Sequence, residues 1–185
     1  MIMMTASAKE NPFLKPFATP YGTAPFDLIK IEHYEPAFEE AISVHQSEID
    51  VIVANPEAPT FKNTIEAMEH SGEMLTRVSN VFFNLLSAES NDEMMDISQR
   101  LSPKLSQHSN NINLNEALFA RVKAVYDARY SSGLTSEQER LTEKYYENFE
   151  NSGATLSPEG KERYRELSMA LSKATLAFGQ NNLKE

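Results

Sequence analysis

Cysteine is missing from all 185 residues, which excludes disulfide frameworks, thiolate zinc sites and a cysteine nucleophile while leaving the compartment open. Positive charge is in short supply: 17 lysines and arginines face 27 aspartates and glutamates, a formal charge of -10. Such a surface repels nucleic acid and anionic membranes, so neither is expected as a partner. No apolar run approaches a membrane span, and the opening Met1 to Lys9 has neither a basic start nor an apolar stretch long enough for a secretory leader. The expected compartment is the cytoplasm, with the periplasm as the alternative if a leader has been removed. Period-two alternation of apolar and polar residues is also absent, which argues against strands.

What the chain does have is 41% hydrophobic residues, enough for one domain with a sizeable core as the working count. Pro12, Pro16, Pro20, Gly22 and Pro25 crowd the start and forbid a continuous helix, so residues 1–31 are expected to form an extended proline and aromatic arm. Beyond it the apolar spacing turns helical. Phe38, Ala41, Ile42, Ile49, Ile52 and Val53 predict a helix from Tyr34 to Val53, stopped by Asn55, Pro56 and Pro59. Phe61, Ile65, Met68, Gly72, Leu75, Ser79, Phe82 and Leu86 alternate steps of four and three and predict one stripe, kinked or closely approached at Gly72.

Asn91 reads as an N-cap for a helix with Met94, Ile97, Leu101, Leu105, His108 and Ile112 inward, which Pro103 is expected to bend or break. A further helix starts near Asn115, with Leu118, Val122 and Val125 inward. The capping box at Thr135 to Gln138 opens another, carrying Leu141, Tyr145 and Phe149, and Ser157 with Pro158 opens the last. The inward face of that last helix is expected to be Tyr164, Leu167, Leu171, Ala174 and Phe178. The fold class is therefore all-α, about six amphipathic helices over residues 32–185 in an antiparallel bundle-like array.

Chemistry-bearing residues are few. None of His33, His45, His70 and His108 lies in the His-Glu-x-x-His pattern that sets two zinc ligands one helical turn apart. His70 and Glu73 share the three-residue spacing of carboxylate metal bundles, but such a site needs a second pair and two more glutamates. His45 and His108 fall on apolar faces and read as hydrogen-bonded boundary or core residues, and His33 as local capping at a helix start. The pairs Glu39 and Glu40, Asp92 and Glu93, and Glu137 and Glu139 sit where helix first turns and solvent faces gather carboxylates. Met68, Met74, Met94, Met95 and Met169 read as core filling. No catalytic, metal-binding or substrate-binding residue is assigned, and no repeat signature at the periods of helical arrays is found.

Several stretches carry a family resemblance. Asn11-Pro12-Phe13 begins it, and Ile29-Lys30-Ile31-Glu32-His33-Tyr34-Glu35-Pro36-Ala37-Phe38-Glu39-Glu40-Ala41-Ile42 is its most specific run. Pro59 to Gly72, Arg77 to Leu85, Ser102-Pro103-Lys104-Leu105-Ser106 with His108, and Leu118 to Val122 follow in order. Together they resemble the N-terminal helical region of the thimet oligopeptidase, oligopeptidase A and peptidyl-dipeptidase family of zinc peptidases, in wording closest to the bacterial peptidyl-dipeptidases.

The resemblance implies a largely helical enzyme with two lobes around a deep channel. It also implies zinc on the channel floor, held by residues in polypeptide beyond this chain, and release of dipeptides from peptide C-termini by metal-assisted hydrolysis. The helices here would wall the channel without taking part in catalysis or binding zinc. Their partners would be short peptides and the remainder of the same chain, and the polar stretch up to Glu185 would be an arbitrary boundary. The alternative is a free-standing helical interaction module, and the coding sequence past Glu185 would separate the two.

Overall fold

The computed structural model describes residues 11–89 and 91–182. Among them the secondary structure is helical, with no strand. The elements are α1 (Tyr34–Ala54), a π-helical segment (Phe61–Glu66) leading into a single turn α2 (Ala67–Glu69), α3 (Glu73–Ala88), α4 (Asp92–Asn113), α5 (Glu116–Ala128), α6 (Ser136–Asn151) and α7 (Pro158–Asn182). No helix is long and apolar enough to cross a membrane among the described residues.

Local chemistry explains most helix starts. The Asn91 side chain accepts from the Met94 amide at 2.9 Å and that of Asn115 from Leu118 at 3.0 Å. Thr135 and Gln138 form a reciprocal capping box, and Ser157 accepts from the Gly160 amide. Each satisfies amides that a helix start leaves unpaired.

The chain divides into two compact units, each discontinuous in sequence. The first takes the described residues up to His45 together with Gly72–Leu101. Its core is aromatic: Phe13, Phe38 and Phe82 are fully buried, with Tyr34 and Phe82 at 5.0 Å between ring centroids and Phe38 edge-on to Phe82 at 5.5 Å. Of the expected arm over residues 1–31, residues 1–10 lie outside the described residues, and the part from Asn11 carries short 3-10 turns, with Phe13 in this core. Asn11 donates to the His33 carbonyl at 2.8 Å, and Arg77 donates to the Phe13 carbonyl while lying over the Phe17 ring. Arg100 clasps Glu35 through three hydrogen bonds between α4 and the first turn of α1.

The second unit comprises Gln46–Ser71 and the described residues from Ser102 onward. Ile49, Ile52, Ile65, Met68, Leu118, Val122, Val125 and Phe149 form its core. Full burial of each such side chain stabilises by about 1.5–3 kcal/mol, against a comparable entropy cost of ordering the chain.

Three expectations need correction. The stripe from Phe61 to Leu86 is not one helix, and the interruption falls where the kink or close approach was expected: Gly72 takes a left-handed φ of 72° between the α2 turn and α3. Its missing side chain makes room for His45, whose Cε1 would stand 2.9 Å from an added Cβ. Of the bend or break expected at Pro103, the break does not occur, since α4 runs continuously from Asp92 to Asn113. Met94, Ile97 and Leu101 are buried before the proline and His108 and Asn110 after it, so packing on both sides offsets the roughly 3 kcal/mol cost.

The face expected to be inward on α7 is instead solvent-facing, with Leu167, Leu171 and Phe178 exposed. α7 docks through other residues: Lys161 to Glu116 at 2.7 Å, Asn110 to Ser168 at 2.7 Å, and Ser102 with Ser172 at 2.6 Å. These lie about 100° around the helix from the apolar stripe.

Candidate functional site

His33 is buried and accepts from the Lys30 amide at 3.1 Å, a local cap. His45 packs against Gly72, and His108 is buried in the second unit. His70 and Glu73 are both exposed, and the positive φ of Gly72 between them removes the helical geometry their spacing would need. No group of three or more histidine and acidic side chains is placed to hold a metal among the described residues. These donors do not fit a zinc site.

Glu39, Glu40, Asp92, Glu93 and Glu137 are exposed and Glu139 half-buried. The Glu137 carboxyl is held below its ordinary range by its own backbone amide and the Thr135 hydroxyl, as suits a helix first turn. Met68 and Met94 are buried, and Met74, Met95 and Met169 half-buried.

Arrangements that sequence reading missed cluster around α5 and α6. Arg121 is buried and carries its guanidinium to the chain after α1. Nη1 donates to the carbonyls of Asn55 at 2.9 Å and Glu57 at 3.3 Å, and Nη2 to Asn63 Oδ1 at 3.2 Å. Asn63 in turn closes a reciprocal cap with Thr60 at the start of the π segment.

The Tyr126 and Tyr146 rings stack at 4.0 Å. The Arg129 guanidinium carbon lies 3.8 Å from the Tyr126 ring centre and 4.1 Å from that of Tyr130. A hydrogen bond to Glu150, aided by burial, pushes the Tyr146 phenol up to about 12. Tyr145 is also raised, first by burial and then by its 2.5 Å hydrogen bond to Glu69.

Beside these groups lies a cleft of about 390 Å³, floored by Phe61, Val125 and Leu134 and rimmed by Lys62, Glu66 and Gln138. An arginine inside the apolar stripe of α5 was the one sequence signal that could have pointed here.

The class of protein follows from comparison with proteins of known activity. No family model matches the chain. It is 42% identical over 173 residues to dipeptidyl carboxypeptidase of Escherichia coli K12, an alignment covering 94% of this chain and 25% of that protein. Oligopeptidase A of the same organism is 26% identical over the same shares. A thimet-like oligopeptidase of Dictyostelium discoideum is 26% identical over 82% of this chain and 23% of that protein. All three are peptidases by name, and this chain spans about a quarter of their length. The chain belongs to the thimet oligopeptidase and peptidyl-dipeptidase family, with its higher identity to the dipeptidyl carboxypeptidase branch.

Proposed function

We propose that this chain is the N-terminal helical part of a zinc-dependent peptidyl-dipeptidase that removes dipeptides from the C-termini of short peptides. In this reading it walls the substrate channel and sets which peptides enter, while the metal and the bond-breaking groups belong to polypeptide outside it. The observation that carries the proposal is the 42% identity to dipeptidyl carboxypeptidase across 94% of the chain.

The solvent-facing stripe Leu167, Leu171 and Phe178 supports a second part of the proposal. Apolar side chains aligned on one helix face mark a surface that a partner covers, and the partner in this reading is the remainder of the same polypeptide.

The test is an assay of the whole gene product on an N-blocked tetrapeptide, with and without a zinc chelator. Chelator-sensitive release of the C-terminal dipeptide is expected. A whole gene product with no such release, or with release unaffected by chelation, would overturn the proposal.

A further inference from the structure

The cleft between the π segment and the start of α6 has an unusual charge arrangement. Lys62 and Glu66 stand one turn apart on the same segment and both line it. A lysine and a glutamate at this spacing can pair on a helix, less favourably in the order lysine then glutamate than in the reverse, and neither has an ion-pair partner among the described residues. The neighbouring charges do: Lys123 pairs with Asp127, and Arg129 and Arg140 both lie beside Glu143. The other polar groups on the rim are committed, Gln138 and Thr60 to helix caps and the Ser132 hydroxyl to the Ala128 carbonyl. Recognition in this cleft therefore falls to one ammonium and one carboxylate above an apolar floor.

We propose that this cleft binds a short zwitterionic peptide of dipeptide size with an apolar side chain. Glu66 takes its terminal ammonium, Lys62 takes its carboxylate, and the side chain rests on Phe61, Val125 and Leu134. Charge complementarity selects this occupant, because a simple anion or cation would leave one of the two protein charges unanswered. Size agrees: about 390 Å³ lies toward the small end of the range of about 300–1,000 Å³ for small-molecule sites. The lip carrying both charges is fixed, since Asn63 caps the segment and is itself held by Arg121, so little ordering cost is left for binding.

The inference does not rest on the peptidase reading. A cleft that fails to bind leaves that reading intact, and a whole gene product that fails to release dipeptides leaves the cleft intact.

The experiment is an NMR titration of this chain with alanyl-phenylalanine bearing free termini, alongside its N-acetylated and C-amidated forms, repeated with Glu66→Gln and Lys62→Met. Saturable shifts confined to residues 59–66 and 125–138 are expected. Acetylation should weaken binding about threefold to tenfold in the parent and cause no further loss in Glu66→Gln, with amidation and Lys62→Met related in the same way. Unchanged amide spectra of the two variants outside the cleft will show that their folds are retained. Shifts that do not saturate by ~10 mM ligand, corresponding to binding far weaker than a specific site gives, would overturn the proposal. So would equal affinity for free and capped peptides.

Discussion

Replacing Arg121 with methionine keeps the length of the side chain and removes its guanidinium. Three hydrogen bonds are lost, to the carbonyls of Asn55 and Glu57 and to Asn63 Oδ1. A hydrogen bond from a charged donor contributes about 1.5–3 kcal/mol, and an abandoned buried acceptor costs about 1–3 kcal/mol. Two effects reduce the sum. Glu57 is exposed, so its carbonyl can take water instead, and the substitution also removes a buried Nε that has no hydrogen-bond partner.

The net expectation is a loss of about 2–4 kcal/mol, or roughly 5–10 °C in melting temperature for a chain of this size. Urea unfolding followed by circular dichroism will measure it. Hydrogen exchange should show the loss first in residues 55–63, the segment the guanidinium anchors. Arg121→Lys should recover less than half, since one ammonium cannot span all three acceptors. A change below about 0.5 kcal/mol for Arg121→Met, the range of ordinary surface substitutions, would refute the assignment of Arg121 as the anchor of that segment.

Gly72→Ala should cost about 2 kcal/mol or more, combining a left-handed backbone with contact against His45. Gly133→Ala, at a φ of 68° in open space, should cost only about 1 kcal/mol, and denaturation of the pair will separate the two contributions. The Glu116 carboxyl is held below its ordinary range by its hydrogen bond to Lys161. Its stabilisation is therefore present above the ordinary carboxylate pKa and lost as pH falls through the lowered one, and Glu116→Gln should flatten that part of the acid unfolding curve. Leu171 is 67% exposed, so Leu171→Glu should change the stability of this chain by less than about 0.5 kcal/mol while reducing binding of a hydrophobic dye. Undiminished dye binding would count against the α7 stripe as a surface awaiting a partner.

Helix starts were legible because capping is a conversation within four residues: Asn91, Asn115, Thr135 and Ser157 announce themselves by side-chain chemistry alone. The interior of α4 was not, since a proline suggests a break unless the burial of Leu101 and His108 on its two sides is known. α7 shows the same limit, because periodicity identifies an apolar face but not what covers it. Ser168 and Ser172 dock the helix, and nothing in their identity distinguishes them from solvent-facing serines. The cleft and the Arg121 anchor were hidden for a related reason: Arg121 meets partners 58 to 66 positions away, a relation that local pattern does not encode.

The interleaving of the two units bears on how the chain is made. A ribosome delivers residues 46–71, which belong to the second unit, before the strip of sequence that completes the first. Leu101 must emerge before the first unit has all its parts, and by then an orphaned piece of the second is already waiting outside the exit tunnel. Neither unit is a contiguous gene segment, so no single cut in the coding sequence yields either one free of residues from the other. Both must close loops across intervening sequence, a topology that slows folding and lengthens the interval in which apolar surface is open to capture by chaperones.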